Sequence, residues 1–239
     1  MLRLILALSA ATALQSAQAE DINIVDRIDH DRLASGSLHL GLFLNGEQDG
    51  FMRLGWTVED GQVHAYDRSM LASQEIFETM EARLSAETLR PESIDIRFHS
   101  GANIFEFDVD FADGSVSNEI TATRPDGQSG AQMLSAEFPD DGLARLTAFL
   151  IPAVIDMEIG ERIAFTWFAP MSNSVAEVSL TAMDTAEVET PAGHYTTTRI
   201  ELRGGSPEND IFVDQTSGEI VRIDVLGQDM SFLKLAEPG

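Results

Sequence analysis

From Ile104 to Phe111 every second residue is apolar. Phe105, Phe107, Val109 and Phe111 fall on one parity, and Glu106, Asp108 and Asp110 fall on the other. Successive side chains of an extended strand point to opposite faces, so this spacing gives one greasy face and one acidic face. A helix would scatter the same residues around its surface. The pattern therefore predicts a half-buried antiparallel strand, core on one side and water on the other. It recurs along most of the chain. Leu38, Leu40, Leu42 and Leu44 alternate up to the turn Asn45-Gly46, and residues 51–58 return to a second turn at Glu59-Asp60-Gly61. Asp60-Gly61 suits a tight hairpin because glycine accepts positive φ. Ile94, Ile96 and Phe98 alternate in the same way, and Ala112-Asp113-Gly114-Ser115 turns the chain into a strand over 116–124. Further strands are expected at 162–168, 176–183, 194–203, 210–214, 219–226 and 231–235. The chain is read as mainly β, a single curved antiparallel sheet or open β-barrel of about ten strands.

One segment breaks the pattern. Leu143, Leu146, Thr147, Leu150 and Ile151 recur at helical spacing. Asp140 or Asp141 is placed to cap the start, and Pro152 to end or kink the helix. One main short helix is expected here, covering an open side of the sheet. Gln128-Ser129-Gly130 and Arg203-Gly204-Gly205-Ser206-Pro207 read as loops. No linker or repeat divides the chain, so residues 20–239 are expected to form a single β-rich domain.

Residues 1–19 have the form of a secretory signal peptide. Met1-Leu2-Arg3 is short and positive, residues 4–14 are apolar, and Ala17-Gln18-Ala19 fits the small-x-small cleavage pattern. The apolar run is too short to span a bilayer. Cleavage before Glu20 and a periplasmic location are expected. The chain has no cysteine, which excludes thiol catalysis, disulfides, Cys-ligated metals and a lipid anchor on cysteine. Forty acidic residues against fifteen Lys and Arg give a net charge of −25, and Lys234 is the only lysine. Such a surface repels phosphate backbones and anionic lipid surfaces, which excludes nucleic acid and broad membrane docking.

Catalytic and metal motifs are sparse. The five histidines, His30, His39, His64, His99 and His194, show no zinc-hydrolase spacing. Asp108-x-Asp110-x-x-Asp113-Gly114 with Glu119 is near a calcium loop, but Ala112 takes one ligand position and the glycine comes one place late. A strand followed by a hairpin explains the same residues. Gly127-Gln128-Ser129-Gly130 lacks the final glycine of a nucleophile elbow, because Ala131 stands there. Glu75 and Glu78 read as a solvated acidic face. No metal and no cofactor is expected.

Five stretches carry a family resemblance. They are Gly46-x-x-x-Gly50; Glu78-Thr79 followed by Leu84-Ser85-Ala86-Glu87-Thr88-Leu89-Arg90-Pro91; Ile151-Pro152 with Gly160; Thr190-Pro191-Ala192-Gly193-His194-Tyr195; and Phe212-Val213-Asp214-Gln215-Thr216-Ser217-Gly218-Glu219-Ile220-Val221-Arg222-Ile223. In this order they resemble a family of exported bacterial proteins built on a domain of unknown function. Its members look like the shallow half-barrels of the lipoprotein carriers LolA and LolB. The resemblance implies a curved sheet partly closed by helices, and it brings no catalytic residues with it.

What remains is apolar surface. Phe105, Phe107, Phe165 and Trp167 lie on strands and should face inward. In a filled barrel they are core; in an open one they line a cavity for an acyl chain or other apolar ligand. The expected function is a soluble, exported, non-enzymatic protein that binds or carries a lipid or an acylated partner, with these four as ligand-binding residues. Two alternatives stand beside it: a filled-core interaction module that binds another envelope protein, and a hydrolase whose site is assembled from distant carboxylates or histidines.

Overall fold

The computed structural model describes residues 24–236. The expected leader lies outside the described residues. The first half of the chain is a meander: β1 (Gly36–Leu44), β2 (Glu47–Glu59), β3 (Gln62–Leu71), β4 (Ile76–Ser85), β5 (Pro91–Ser100), β6 (Asn103–Ala112), β7 (Ser115–Thr123) and β8 (Ser129–Glu137). A two-residue strand, β9 (Leu143–Ala144), leads into helix α1 (Thr147–Val154). A second meander follows: β10 (Arg162–Ala169), β11 (Ser174–Thr190), β12 (Gly193–Arg203), β13 (Asn209–Asp214), β14 (Ile220–Val225) and β15 (Met230–Lys234).

All belong to one sheet. β1 pairs with β15, so the order runs from β8 back to β1, across to β15, and back to β9. Every pairing is antiparallel except β9 on β10. The mainly β, single-sheet architecture agrees with the alternation in the sequence. The strand number does not: the described residues form fifteen strands, not about ten. β3, β4 and β8 account for most of the difference. The inner rows of β3 and β4 mix acids with apolar residues, and β8 is exposed along most of its length, so none shows clean alternation.

β8 and β9 sit at opposite edges of the sheet yet are joined by only residues 138–142. A chain spans at most about 3.6 Å per residue, so the edges must lie within roughly 20 Å and the sheet must curl round on itself. The edges are not hydrogen-bonded to each other, and side chains close the seam. Phe111 on β6, Phe138 in the link and Phe168 on β10 meet with ring centroids 5.2, 5.8 and 6.4 Å apart. Asn118 on β7 donates to the carbonyl of Pro170 (3.0 Å) and to Asn173 Oδ1 (3.1 Å).

The helix is shorter than its sequence pattern predicts. It begins at Thr147, with Leu146 as its cap residue, and Pro152 lies inside it. Leu143 and Ala144 extend along β10 instead. Neither aspartate caps it: Asp140 accepts from the Gly114 backbone N–H (3.2 Å) and from Arg90 (3.4 Å). α1 buries Ala148, Leu150, Ile151 and Val154 in the barrel. Together with Val63, Leu84, Val109 and Ile163 they fill that end of the interior.

Candidate functional site

The other part of the interior is hollow. A cavity of about 330 Å³ lies between the inner faces of β2–β5 and those of β13–β15. Met52, Leu54, Met80, Ile94 and Ile96 form one wall, and Ile223, Val225, Met230 and Phe232 form the other. Leu146 and Phe149 approach from α1 and its lead-in. The exposed residues Met171, Ser172, Ser206 and Gln228 stand at the rim, so the cavity opens to solvent between the β10–β11 and β12–β13 connections.

Three charged side chains line this greasy space: Asp67, Glu78 and Arg145. Strand parity puts them there. Val63, Ala65, Asp67, Ser69 and Leu71 share the inner face of β3, and Glu78, Met80, Ala82 and Leu84 share that of β4. In the register, Ser69 faces Glu78 and Asp67 faces Met80. Asp67 and Glu78 are therefore diagonal neighbours on one face, within mutual electrostatic reach. Arg145 follows β9; its backbone N–H donates to the Phe168 carbonyl at 3.0 Å. Its guanidinium lies over the indole of Trp167, 5.9 Å from the ring centroid, a cation–π arrangement.

The environment shifts all three. Burial pushes the Asp67 carboxyl up to about 6, against the opposing pull of hydrogen bonds from Ser69 and the Arg68 backbone. Ser69 Oγ donates to Asp67 at 2.7 Å. Burial, then the charge of Asp67, pushes Glu78 up to about 7, and Arg145 partly offsets this. Burial lowers the Arg145 pKa, opposed by the two acids, but a guanidinium stays charged in proteins. All three are half-buried and line the cavity while protein surrounds them. Among the described residues, no carboxylate comes within 4.0 Å of the Arg145 guanidinium, and the Glu78 carboxylate makes no hydrogen bond.

The aromatic residues expected at a ligand site occupy other places. Phe107, Phe165 and Trp167 are buried in the packed core, and half-buried Phe105 lies 6.3 Å from Phe98. None of the four lines the cavity; Trp167 reaches it only through Arg145. Glu78, read from sequence as part of a solvated face, points into the interior, while Glu75 is exposed. Asp108 and Asp110 lie on the outer face of β6 and Asp113 in the following turn, which is the strand-and-hairpin arrangement. Sequence reasoning missed Asp67, Glu78 and Arg145. The available signal was an acid on a strand parity otherwise occupied by Val63, Ala65 and Leu71, since unpaired buried charge is rare.

The chain matches no protein-family model and no curated protein. Among solved structures it is similar to a crystal structure described as a beta-barrel-like protein of the domain of unknown function DUF1849 from Brucella abortus. The two share 10% identity over 85% of this chain and 96% of that one, with a TM-score of 0.49.

Proposed function

We propose that the protein is an exported, periplasmic, non-enzymatic binder of a small apolar or amphipathic molecule, such as a lipid or the acyl chain of a modified partner. The observation that carries this reading is the cavity of about 330 Å³ with apolar walls and an open rim. Its size falls in the range of small-molecule sites, which are largely apolar with a few placed polar groups. The leader-like residues 1–19 and the sequence resemblance to LolA- and LolB-like half-barrels support the same reading. In it, Phe105, Phe107, Phe165 and Trp167 belong to the packed core and its flank, and Trp167 reaches the site through Arg145.

The test is native mass spectrometry of the protein purified from its own cells, with solvent extraction of any bound mass, beside titration with the neutral probe N-phenyl-1-naphthylamine. A copurifying lipid or a saturable rise in probe fluorescence is expected. A clean protein mass together with no probe binding overturns the reading.

The hydrolase reading is favoured by one observation: two carboxyl groups, Asp67 and Glu78, stand as diagonal neighbours in the lining of one cavity. Turnover of a decanoyl ester that disappears in Glu78→Gln would move the assignment there.

A further inference from the structure

The cavity contains a contradiction that a ligand would resolve. Apolar walls favour a hydrocarbon chain, yet a permanently charged guanidinium lines them with five N–H donors and no acceptor within reach among the described residues. Leaving such a charge unpaired in a water-poor space is costly. Internal pairing was available, because Asp67 and Glu78 are close enough to feel Arg145. The Asp67 carboxylate instead takes the Ser69 hydroxyl, and neither acid closes on the guanidinium. The guanidinium lies over the Trp167 ring. The fork of donors is thus fixed in place and left for a planar oxyanion, which arginine takes at two points.

Resting on the apolar-ligand reading above, we infer that the ligand is a single-chain amphiphile with a carboxylate head, held by Arg145 while its chain lies against Met52, Leu54, Met80, Ile94 and Phe232. Among the described residues, only Asp67 from β3, Glu78 from β4 and Arg145 bring charge to the cavity. β2, β5, α1 and β13–β15 line it with uncharged side chains. A bound carboxylate raises the proton affinity of both neighbouring acids, so binding takes up protons. Affinity is therefore highest where the acids are already neutral and falls as pH rises through about 6 to 7.

The experiment displaces N-phenyl-1-naphthylamine from the protein with decanoate, decan-1-ol and decylammonium at pH 6.0 and 8.5. Decanoate should bind at least about tenfold more tightly than the other two at pH 6.0, and about tenfold more tightly there than at pH 8.5, the effect of one unit of proton linkage. Arg145→Met should erase the preference for decanoate while decan-1-ol still binds. Glu78→Gln, which keeps the guanidinium, should strengthen decanoate binding at pH 8.5 and flatten the pH dependence. It decides the matter if Arg145→Met fails to fold. Equal binding of all three ligands, or tightest binding of decylammonium, overturns the carboxylate assignment and leaves the apolar-ligand reading standing. If none of the three binds and the probe is not taken up, the apolar-ligand reading falls and the assignment with it.

Discussion

Asp67 and Glu78 make the folded state prefer acid. Both titrate higher in the native protein than an exposed carboxyl does, because burial disfavours their charged forms. Stability from such groups is fully present below the unfolded pKa, near 4, and is lost as pH rises through about 6 to 7. Either acid alone is worth about 3 kcal/mol over that window, and the coupled pair less than twice that. Glu161 works in the opposite sense. Burial pushes it up, but hydrogen bonds from Arg27 and the Glu158 backbone outweigh burial and hold it below the usual carboxylate range. Its contribution is present above about 4.5 and lost as pH falls further. The melting temperature should therefore peak near pH 4 to 4.5 and decline up to about pH 7. Glu78→Gln should melt higher than the parent at pH 8 and lose much of the decline. General repulsion from a net charge of −25 would act on both proteins alike. A parallel decline in parent and variant, followed by calorimetry, would show that Glu78 is not the cause.

At the scale of the element, the first hairpin shows two glycines needed for different reasons. Asn45 and Gly46 take φ of 52° and 80°, the tight turn that joins β1 to β2, and a side chain at Gly46 would meet open space. Asparagine tolerates that conformation. Gly50 has no unusual φ, but a Cβ there would sit 1.8 Å from the Met70 carbonyl on β3. That contact forces the two backbones apart. Gly46→Asn should cost less than about 1 kcal/mol, and Gly50→Ala roughly 3 kcal/mol or more by urea denaturation. Equal costs would mean that the β2–β3 approach is looser than the backbone shows. This hairpin and β6 were legible because their alternation is clean and their turns carry Asn-Gly or Asp-Gly. β3 and β4 were not, because Asp67, Ser69 and Glu78 occupy inner positions that a core strand would give to apolar residues. The same substitution that hides the strands creates the site. Arg145 was hidden differently: Leu143, Leu146 and Leu150 fit a helix, but β9 needs Leu143 and Ala144 as an edge to β10, which delays the helix to Thr147.

The whole molecule is a sheet that curls without closing, and its integrity rests on the seam. The inner row of β6 was read as one greasy face, and it is, but no pattern in a single strand says that Phe111 will meet a residue of β10. That meeting follows from topology: the two meanders join at β1–β15, and the short link from β8 to β9 brings their free edges back together. Phe138 is the centre of this closure, 1% exposed and in ring contact with both Phe111 and Phe168. Truncating it removes a large buried side chain and leaves a hole between two edges that no backbone ladder joins. Phe138→Ala should cost about 3–5 kcal/mol, whereas Phe98→Ala, at a half-buried ring on β5, should cost distinctly less. The seam also predicts where the loss is felt. Hydrogen exchange in Phe138→Ala should accelerate first at β6 and β10, whose Phe111 and Phe168 rings meet across the gap, before β13 and β14 in the continuous part of the sheet. Uniform acceleration across all strands would mean that the ring supports the barrel as a whole and that the open edges are not its weak line.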